Sequence, residues 1–179
     1  MRILAISGSL RLTSSNTSLL RAAAAVAPPG MEISTYGGIG ELPHFNPDLD
    51  GEMVAPAVRA WRSSLQAADG VVFSTPEYAH GVPGSLKNAL DWVVGSSEFV
   101  GKPVAFFNAS SRGTYAQASL AETLTVMSAK VLSGASITLE LMGRPLAPPE
   151  IVADPEMAAA IRAALGAFAS AIDAGKLAL

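Results

Sequence analysis

The side chains best suited to chemistry follow the first apolar run of the chain. Residues 6–20 read ISGSLRLTSSNTSLL, and they connect the run MRILA to an alanine- and leucine-rich segment, residues 17–27, that is typical of a helix. This loop holds one Gly, one Arg and several hydroxyl or amide side chains, but no acidic residue. Those hydroxyl and amide side chains are Ser9, Thr13, Ser14, Ser15 and Asn16.

A loop of this kind favours anions. Where a buried strand turns into a helix N-terminus, backbone N–H groups lack partners and the helix dipole is positive. Hydroxyl groups can donate to phosphate oxygens, and the Arg11 guanidinium can add a charged fork. We therefore predict that a phosphate monoester binds here. The alternative is a plain turn and helix cap, in which Asn16 or Ser15 satisfies the first-turn amides.

Two common nucleotide motifs are missing, and their absence narrows the choice of ligand. No G-x-G-x-x-G follows the first predicted strand, and no G-x-x-x-x-G-K-[ST] occurs in the chain. A phosphate that belongs to a bound cofactor therefore fits the loop better than ATP does.

Composition limits the class of protein. A chain of 179 residues suits one domain, which we predict to span residues 1–179. Its net charge of −3 argues against a nucleic-acid partner. It contains no cysteine and only two histidines, which argues against disulfides, thiolate nucleophiles and a histidine-rich metal site. Only 15% of the residues are charged, against about 25% in most proteins, so we expect another subunit to cover part of the surface.

The apolar segments predict a protein that stays in the cytoplasm. By this reading no segment approaches the length of a membrane span, so we expect no membrane partner. The first predicted strand begins directly after Met1, without the basic segment that opens a signal peptide.

Hydrophobic periodicity predicts alternating strands and helices. Strands are predicted over residues 1–5, 32–36, 70–74, 104–108 and 136–141, and helices over residues 17–27, 54–68, 85–94, 116–132 and 154–176. Residues 37–51 form a long polar loop, and residues 143–155 match no pattern. This alternation is typical of an α/β fold with a parallel sheet. In such folds ligands bind beyond the carboxyl ends of the strands, where the loops after the first, third and fourth strands emerge.

The loop after the third strand, TPEYAHGVPG over residues 75–84, is suited to a flat ligand. Pro76 and Pro83 stiffen it, while Gly81 and Gly84 allow the backbone to approach a ring closely. Tyr78 offers an aromatic face or a hydroxyl. The alternative is a rigid loop whose Pro-Gly pair only starts the next helix.

Two strings in these loops resemble the NADPH-dependent FMN reductase family. They are G-S-L-R with S-x-N-T after it, and T-P-E-Y-x-x-G-x-P-G-x-L-K-N-A-L-D-W, and the resemblance covers residues 1 to about 132. Relatives in that family include quinone, chromate and azo-dye reductases. The resemblance implies a flavodoxin-like three-layer sandwich whose five-stranded parallel sheet has the order 2-1-3-4-5. It also implies bound FMN, NAD(P)H as co-substrate, and a homodimer or homotetramer.

The resemblance also assigns cofactor positions in three loops, but no catalytic side chain and no metal ligand. Glu77 is thereby part of the loop structure, without a role in proton transfer. The positions matched to the FMN phosphate are Ser9, Arg11, Ser14, Asn16 and Thr17. Those matched to the flavin ring are Pro76, Glu77, Tyr78 and Gly81, followed by Ser110, Ser111 and Gly113 in a small-residue turn.

The implied activity is hydride transfer from NAD(P)H through FMN to a small acceptor such as a quinone, azo dye, chromate or free flavin. One alternative is a flavodoxin-type electron carrier that oxidises no NAD(P)H, and another is a flavin-free binding module. Arg11 and Arg112 are candidates for binding the 2′-phosphate of NADPH. Some relatives have Asn-Gly where this chain has Ala79-His80, so His80 either tunes the acceptor site or is a neutral substitution.

Overall fold

A parallel sheet with helices on both faces forms the centre of the molecule, as seen in a computed structural model that describes residues 1–51, 54–141, 143–144 and 146–177. The strands lie in the order β2-β1-β3-β4-β5, and β6 also pairs with β4, so the predicted order is confirmed. Their bounds are β1 Arg2–Ser7, β2 Glu32–Tyr36, β3 Gly70–Ser74, β4 Pro103–Asn108, β5 Lys130–Val131 and β6 Ile137–Thr138.

Six helices cover the two faces of the sheet within the described residues. They are α1 Ser15–Ala25, α2 Pro56–Ala67, α3 Gly84–Asp91, α4 Thr114–Val126, α5 Pro148–Ala153 and α6 Pro155–Leu177. Helices α2, α3 and α4 pack on one hydrophobic core, which contains the buried Trp61 and Phe73. Helices α1, α5 and α6 pack on the other, which contains Phe107 and Phe168. Side chains of a strand alternate between these cores, so the interiors of the central strands are apolar and their polar residues lie at the ends.

The fifth position of the sheet differs from the sequence prediction. The prediction of one strand over residues 136–141 is wrong. Two short strands share this position beside β4, first Lys130–Val131 and then Ile137–Thr138. Ser136 bridges the interval between them, where its hydroxyl accepts from the Phe106 N–H at 3.0 Å and donates to the Leu132 carbonyl at 3.1 Å. A side chain thereby replaces backbone pairing, and alternation of residue types does not reveal such a replacement.

Helix α4 ends at Val126, so the prediction that it continues to residue 132 is wrong. Ser128 has a φ of +64°, and its N–H donates to the Thr125 carbonyl at 2.9 Å. The Ala129 N–H donates to the Leu124 carbonyl, also at 2.9 Å. These two bonds form a Schellman motif, which usually has glycine at the left-handed position. Without glycine, and with apolar residues continuing beyond it, this helix end had no sequence signal.

Helix α6 begins where the sequence predicts. The Asp154 carboxylate caps it by accepting from the N–H groups of Glu156 and Met157, at 3.0 and 3.1 Å. Within the described residues, the stretch Pro155–Gly175 of α6 is long and apolar enough to span a membrane, by length and composition only. Of its apolar 18-residue window, 39% is buried inside the protein. The prediction that no segment approaches that length is therefore wrong. Ile161, Leu165 and Phe168 of this helix are fully buried in the protein core.

The polar loop over residues 37–51 is fixed to α3 by its backbone. The Pro43 carbonyl accepts from the indole of Trp92 at 2.7 Å, and the Phe45 N–H donates to the Asn88 side chain at 2.8 Å. The loop thereby covers the core beneath α3, where its Ile39 and Leu42 are buried.

Candidate functional site at the carboxyl edge of the sheet

A cavity of about 520 Å³ lies at the carboxyl ends of β1, β3 and β4, as the fold class predicts. Its volume falls within the range of about 300–1,000 Å³ that is usual for small-molecule sites. Most of the predicted cofactor positions line it, and they are Ser9, Arg11, Ser14, Asn16, Pro76, Glu77, Tyr78, Ser110 and Gly113. The structure thus brings all three predicted loops to one site.

The first loop, residues 8–14, is fixed from beneath by hydroxyl groups. The Thr17 hydroxyl donates to the Ser7 hydroxyl at 2.8 Å, and the same Ser7 oxygen accepts from the Ser9 N–H at 3.2 Å. Ser7 is buried at the end of β1. Thr17 therefore supports the loop and does not line the cavity, so its predicted contact with phosphate remains a prediction.

The start of α1 presents donors to the cavity. Ser14 caps the helix by accepting from the Thr17 N–H at 3.4 Å. The N–H groups of Ser15 and Asn16 find no acceptor in the described part of the chain. The side-chain oxygen of Asn16 accepts from the Ser74 hydroxyl at 2.9 Å, which ties α1 to the end of β3.

The Arg11 guanidinium lies free at the edge of this donor set. It is exposed, and it forms no ion pair or hydrogen bond with any residue that the structure describes. Only its backbone N–H is bound, to the Ser9 hydroxyl at 3.3 Å. An arginine without a protein partner, beside unpaired amides, leaves its full donor capacity available to an anion.

Gly8 permits close contact between the first loop and the loop after β3. Its N–H donates to the Ser74 carbonyl at 2.9 Å, and a Cβ on Gly8 would lie 2.8 Å from the Thr75 Cβ and 2.2 Å from its hydroxyl oxygen. No side chain fits in that space without displacing Thr75. This contact holds the first loop close to the loop after β3.

The loop after β3 contains a strained two-residue turn. Tyr78 and Gly81 exchange two backbone hydrogen bonds, at 2.9 and 3.0 Å. Between them Ala79 and His80 have φ values of +49° and +61°. Turns with two left-handed residues favour Asn-Gly, and other residues cost about 1–2 kcal/mol each in that conformation. Gly81 closes this turn and does not line the cavity, so its predicted contact with the flavin ring remains a prediction.

His80 stacks on Tyr115, the second residue of α4. Their ring centroids are 4.0 Å apart and the ring planes lie 18° from parallel. Both residues are exposed, and they belong to the two loop regions that form one side of the cavity. Such a stack contributes about 0.5–1.5 kcal/mol. The stack alone therefore contributes less than the combined strain of the two left-handed residues, and the two backbone hydrogen bonds of the turn supply part of the difference.

Glu77 connects the same loop to α4 a second time. Its carboxylate accepts from the Ala116 N–H at 2.8 Å, at the positive end of the helix dipole. Glu77 therefore fixes the position of the loop, in agreement with the structural role that the sequence predicted for it.

A second carboxylate, that of Glu140, holds the loop after β4. It accepts from the Ser111 N–H at 2.5 Å. Hydrogen bonds from Ser111, with a smaller contribution from the charge of Arg112, lower the pKa of Glu140 from its usual 4.5. Ser111 is turned to this carboxylate and does not line the cavity, so its predicted contact with the flavin remains a prediction.

Several cavity residues had not been predicted as binding positions. Thr75 and Asn108 directly follow or end a strand, so their position beside the predicted loops was an available signal. Leu141, from the predicted fifth strand, and Gly143, from the segment that matches no pattern, also line the cavity. Arg112, predicted only as a candidate for NADPH binding, lines it too.

Comparison with known proteins agrees with this geometry. Residues 1–141 match the family described as NADPH-dependent FMN reductase. The chain is 42% identical over 113 residues to an NAD(P)H-dependent FMN reductase of Pseudomonas aeruginosa, covering 62% of this chain and 60% of that protein. It is 34% identical over 139 residues to a quinone reductase of Escherichia coli K12, covering 74% of each chain.

A solved structure extends the similarity to nearly the whole chain. FerB of Paracoccus denitrificans, a flavoenzyme described as an NAD(P)H:(acceptor) oxidoreductase, superposes with a TM-score of 0.76 at 26% identity. The superposition covers 94% of this chain and 97% of that one. By contrast, the chain spans less than two thirds of the Pseudomonas relative. The family match, the sheet order and the cavity agree, and the chain belongs to the NADPH-dependent FMN reductase family.

Proposed function

We propose that this protein is an FMN-dependent oxidoreductase that passes electrons from NAD(P)H to a small acceptor, with quinones as the preferred class. The observation that carries the proposal is the cavity itself, in which a free arginine and the start of α1 lie opposite a proline-stiffened loop. The names of the relatives from Pseudomonas and Escherichia coli support the choice of flavin and quinone.

The first loop fits the phosphate of FMN. Its donors are the Arg11 guanidinium, the hydroxyls of Ser9 and Ser14, and the unpaired amides at the start of α1. No acidic residue occurs in this stretch. Each charge-assisted hydrogen bond contributes about 1.5–3 kcal/mol. Several of these bonds are comparable to an association cost of about 4–15 kcal/mol, so packing of the ring must add to the affinity.

The loop after β3 fits the edge of the flavin ring. Pro76, Glu77 and Tyr78 line the cavity, and the hydrogen bond from Glu77 to α4 holds the loop in place. When bound, FMN supplies the redox chemistry, by which NAD(P)H and one proton reduce a quinone to a hydroquinone and leave NAD(P)⁺. The chain itself holds the cofactor and shapes the open side of the cavity, so we assign no proton-transfer residue.

Two spectroscopic measurements test the proposal. The purified protein, reconstituted with FMN, should show flavin absorption that persists through gel filtration, and stopped-flow mixing with NADPH or NADH should bleach it rapidly. Steady-state assays with quinones, azo dyes, chromate and free FMN would then rank the acceptors. A protein that retains FMN but is not bleached would instead be a flavodoxin-type carrier. A protein that never binds FMN would be a flavin-free binding module.

We further propose that the protein is a cytoplasmic homodimer or homotetramer. Large apolar side chains are exposed on its surface, among them Leu12 at 99%, Val126 at 72% and Val100 at 62%. Together with the low charged fraction of 15%, these side chains support contact with a second copy of the chain. Light scattering coupled to gel filtration measures the mass directly, and a monomer at micromolar concentration would contradict this part of the proposal.

A further inference from the structure

The stacked pair of His80 and Tyr115 stands out because it is built on a strained turn. Two consecutive residues other than glycine take left-handed conformations, a strain of about 1–2 kcal/mol each that the stack alone does not offset. Strained backbone that persists in a fold is concentrated at binding sites and active sites. The strain therefore points to a role for the imidazole beyond holding the turn.

The position of the pair indicates what it would contact. His80 lies two residues after Tyr78, and Tyr115 lies two residues after Gly113, and both Tyr78 and Gly113 line the cavity. The Glu77–Ala116 hydrogen bond fixes these two regions to each other. Neither ring is among the residues that line the cavity, but the exposed pair presents aromatic surface next in sequence to residues that do.

We propose that His80 and Tyr115 form an aromatic wall that selects planar aromatic acceptors, such as bicyclic quinones, over small acceptors that cannot stack. This inference rests on the proposed function and names the specificity-determining residues of the same site. Stacking of the acceptor on this wall strengthens acceptor binding. It does not change how the first loop holds the cofactor.

The test compares variants that remove one ring with variants that keep both. His80→Gly removes the imidazole and suits a φ of +61°, and Tyr115→Leu removes the phenol ring without changing the turn. Ala79→Gly and Tyr115→Phe keep both rings and serve as matched controls. For each variant, kcat/KM is measured with 1,4-naphthoquinone, and the rate of reoxidation is measured with dioxygen, which is small and cannot stack.

Both ring-removing variants should lower kcat/KM for the naphthoquinone about three- to tenfold. Their reoxidation by dioxygen and their FMN content should stay within about twofold of the wild type. The two controls should retain the wild-type ratio of kcat/KM for the naphthoquinone to the rate of reoxidation by dioxygen. Circular dichroism confirms that each variant is folded.

Three results would overturn the proposal. One is that the ratio of kcat/KM for the naphthoquinone to the rate of reoxidation by dioxygen is unchanged in both His80→Gly and Tyr115→Leu. Another is a change in oligomeric mass with an unchanged ratio, which would assign the pair to contact with a second copy of the chain. Finally, a wild-type protein that passes no electrons from either NADPH or NADH to the quinone would overturn the proposed function together with this inference.

Discussion

The first loop and the loop after β3 form opposite walls of one cavity, but they are held by different means. The first loop is fixed mainly by neighbours in sequence, through the hydroxyls of Ser7, Ser9 and Thr17. The loop after β3 depends on α4, almost 40 residues away, through Glu77 and His80. The comparison teaches that the donor set of the first loop, which we propose binds phosphate, can form from one strand, one turn and one helix. The other wall, which we propose faces the ring and the acceptor, requires distant elements to meet.

The largest expected effect is on the affinity of the first loop for FMN. Arg11→Ala should raise the Kd for FMN about 10- to 100-fold, because it removes a charged donor without a protein partner. The fold should be unchanged, since no described residue depends on that guanidinium. Arg21→Ala, on the exposed face of α1, is the matched control. FMN titration followed by flavin fluorescence measures both, and equal Kd values would refute the phosphate assignment.

The contact between the two walls can be broken at Gly8. Gly8→Ala should destabilise the protein by about 1–3 kcal/mol and weaken FMN binding, because the new Cβ overlaps the Thr75 side chain. Gly37→Ala is the control, since no atom lies within 4 Å of its added Cβ. Urea unfolding reports the free energy. If both variants unfold at the same urea concentration, the close contact does not set the cavity.

The long-range support of the second wall can be weakened at Glu77. Glu77→Gln removes the negative charge that accepts from the Ala116 N–H at the start of α4. We expect a loss of about 1 kcal/mol. That loss corresponds to a decrease in Tm of roughly 2–4 °C for a domain of this size. Glu122→Gln, an exposed change on the same helix, should leave Tm unchanged. Equal Tm values for the two variants would show that the carboxylate does not support the loop.

The smallest effect concerns Glu140 and depends on pH. Its pKa is lowered in the folded protein, so its ionised form stabilises the loop above the usual pKa of 4.5. This contribution is lost as the pH falls through the lowered pKa. The difference in Tm between wild type and Glu140→Gln should therefore be largest near pH 7 and should shrink below pH 4.5. A difference that is constant from pH 7 to pH 3 would contradict the role of the carboxylate charge.

Local sequence patterns determined much of the fold and of the candidate site. Apolar runs without alternation marked the buried strands, and the two loop strings identified the family and seven of the residues that line the cavity. Asp154 marked the start of α6, because a side-chain oxygen at that position satisfies first-turn amides. Each of these signals depends on a few neighbouring residues, so the sequence alone is enough to predict the feature.

Other features exist only because distant segments meet. The helix end at Ser128 takes a left-handed conformation without glycine, and Ser136 replaces the backbone between β5 and β6. Glu140 reaches Ser111 across 29 positions, and His80 finds Tyr115 on another element. No local pattern contains these partners, because the free energy that favours each contact arises only after the sheet has brought the loops together.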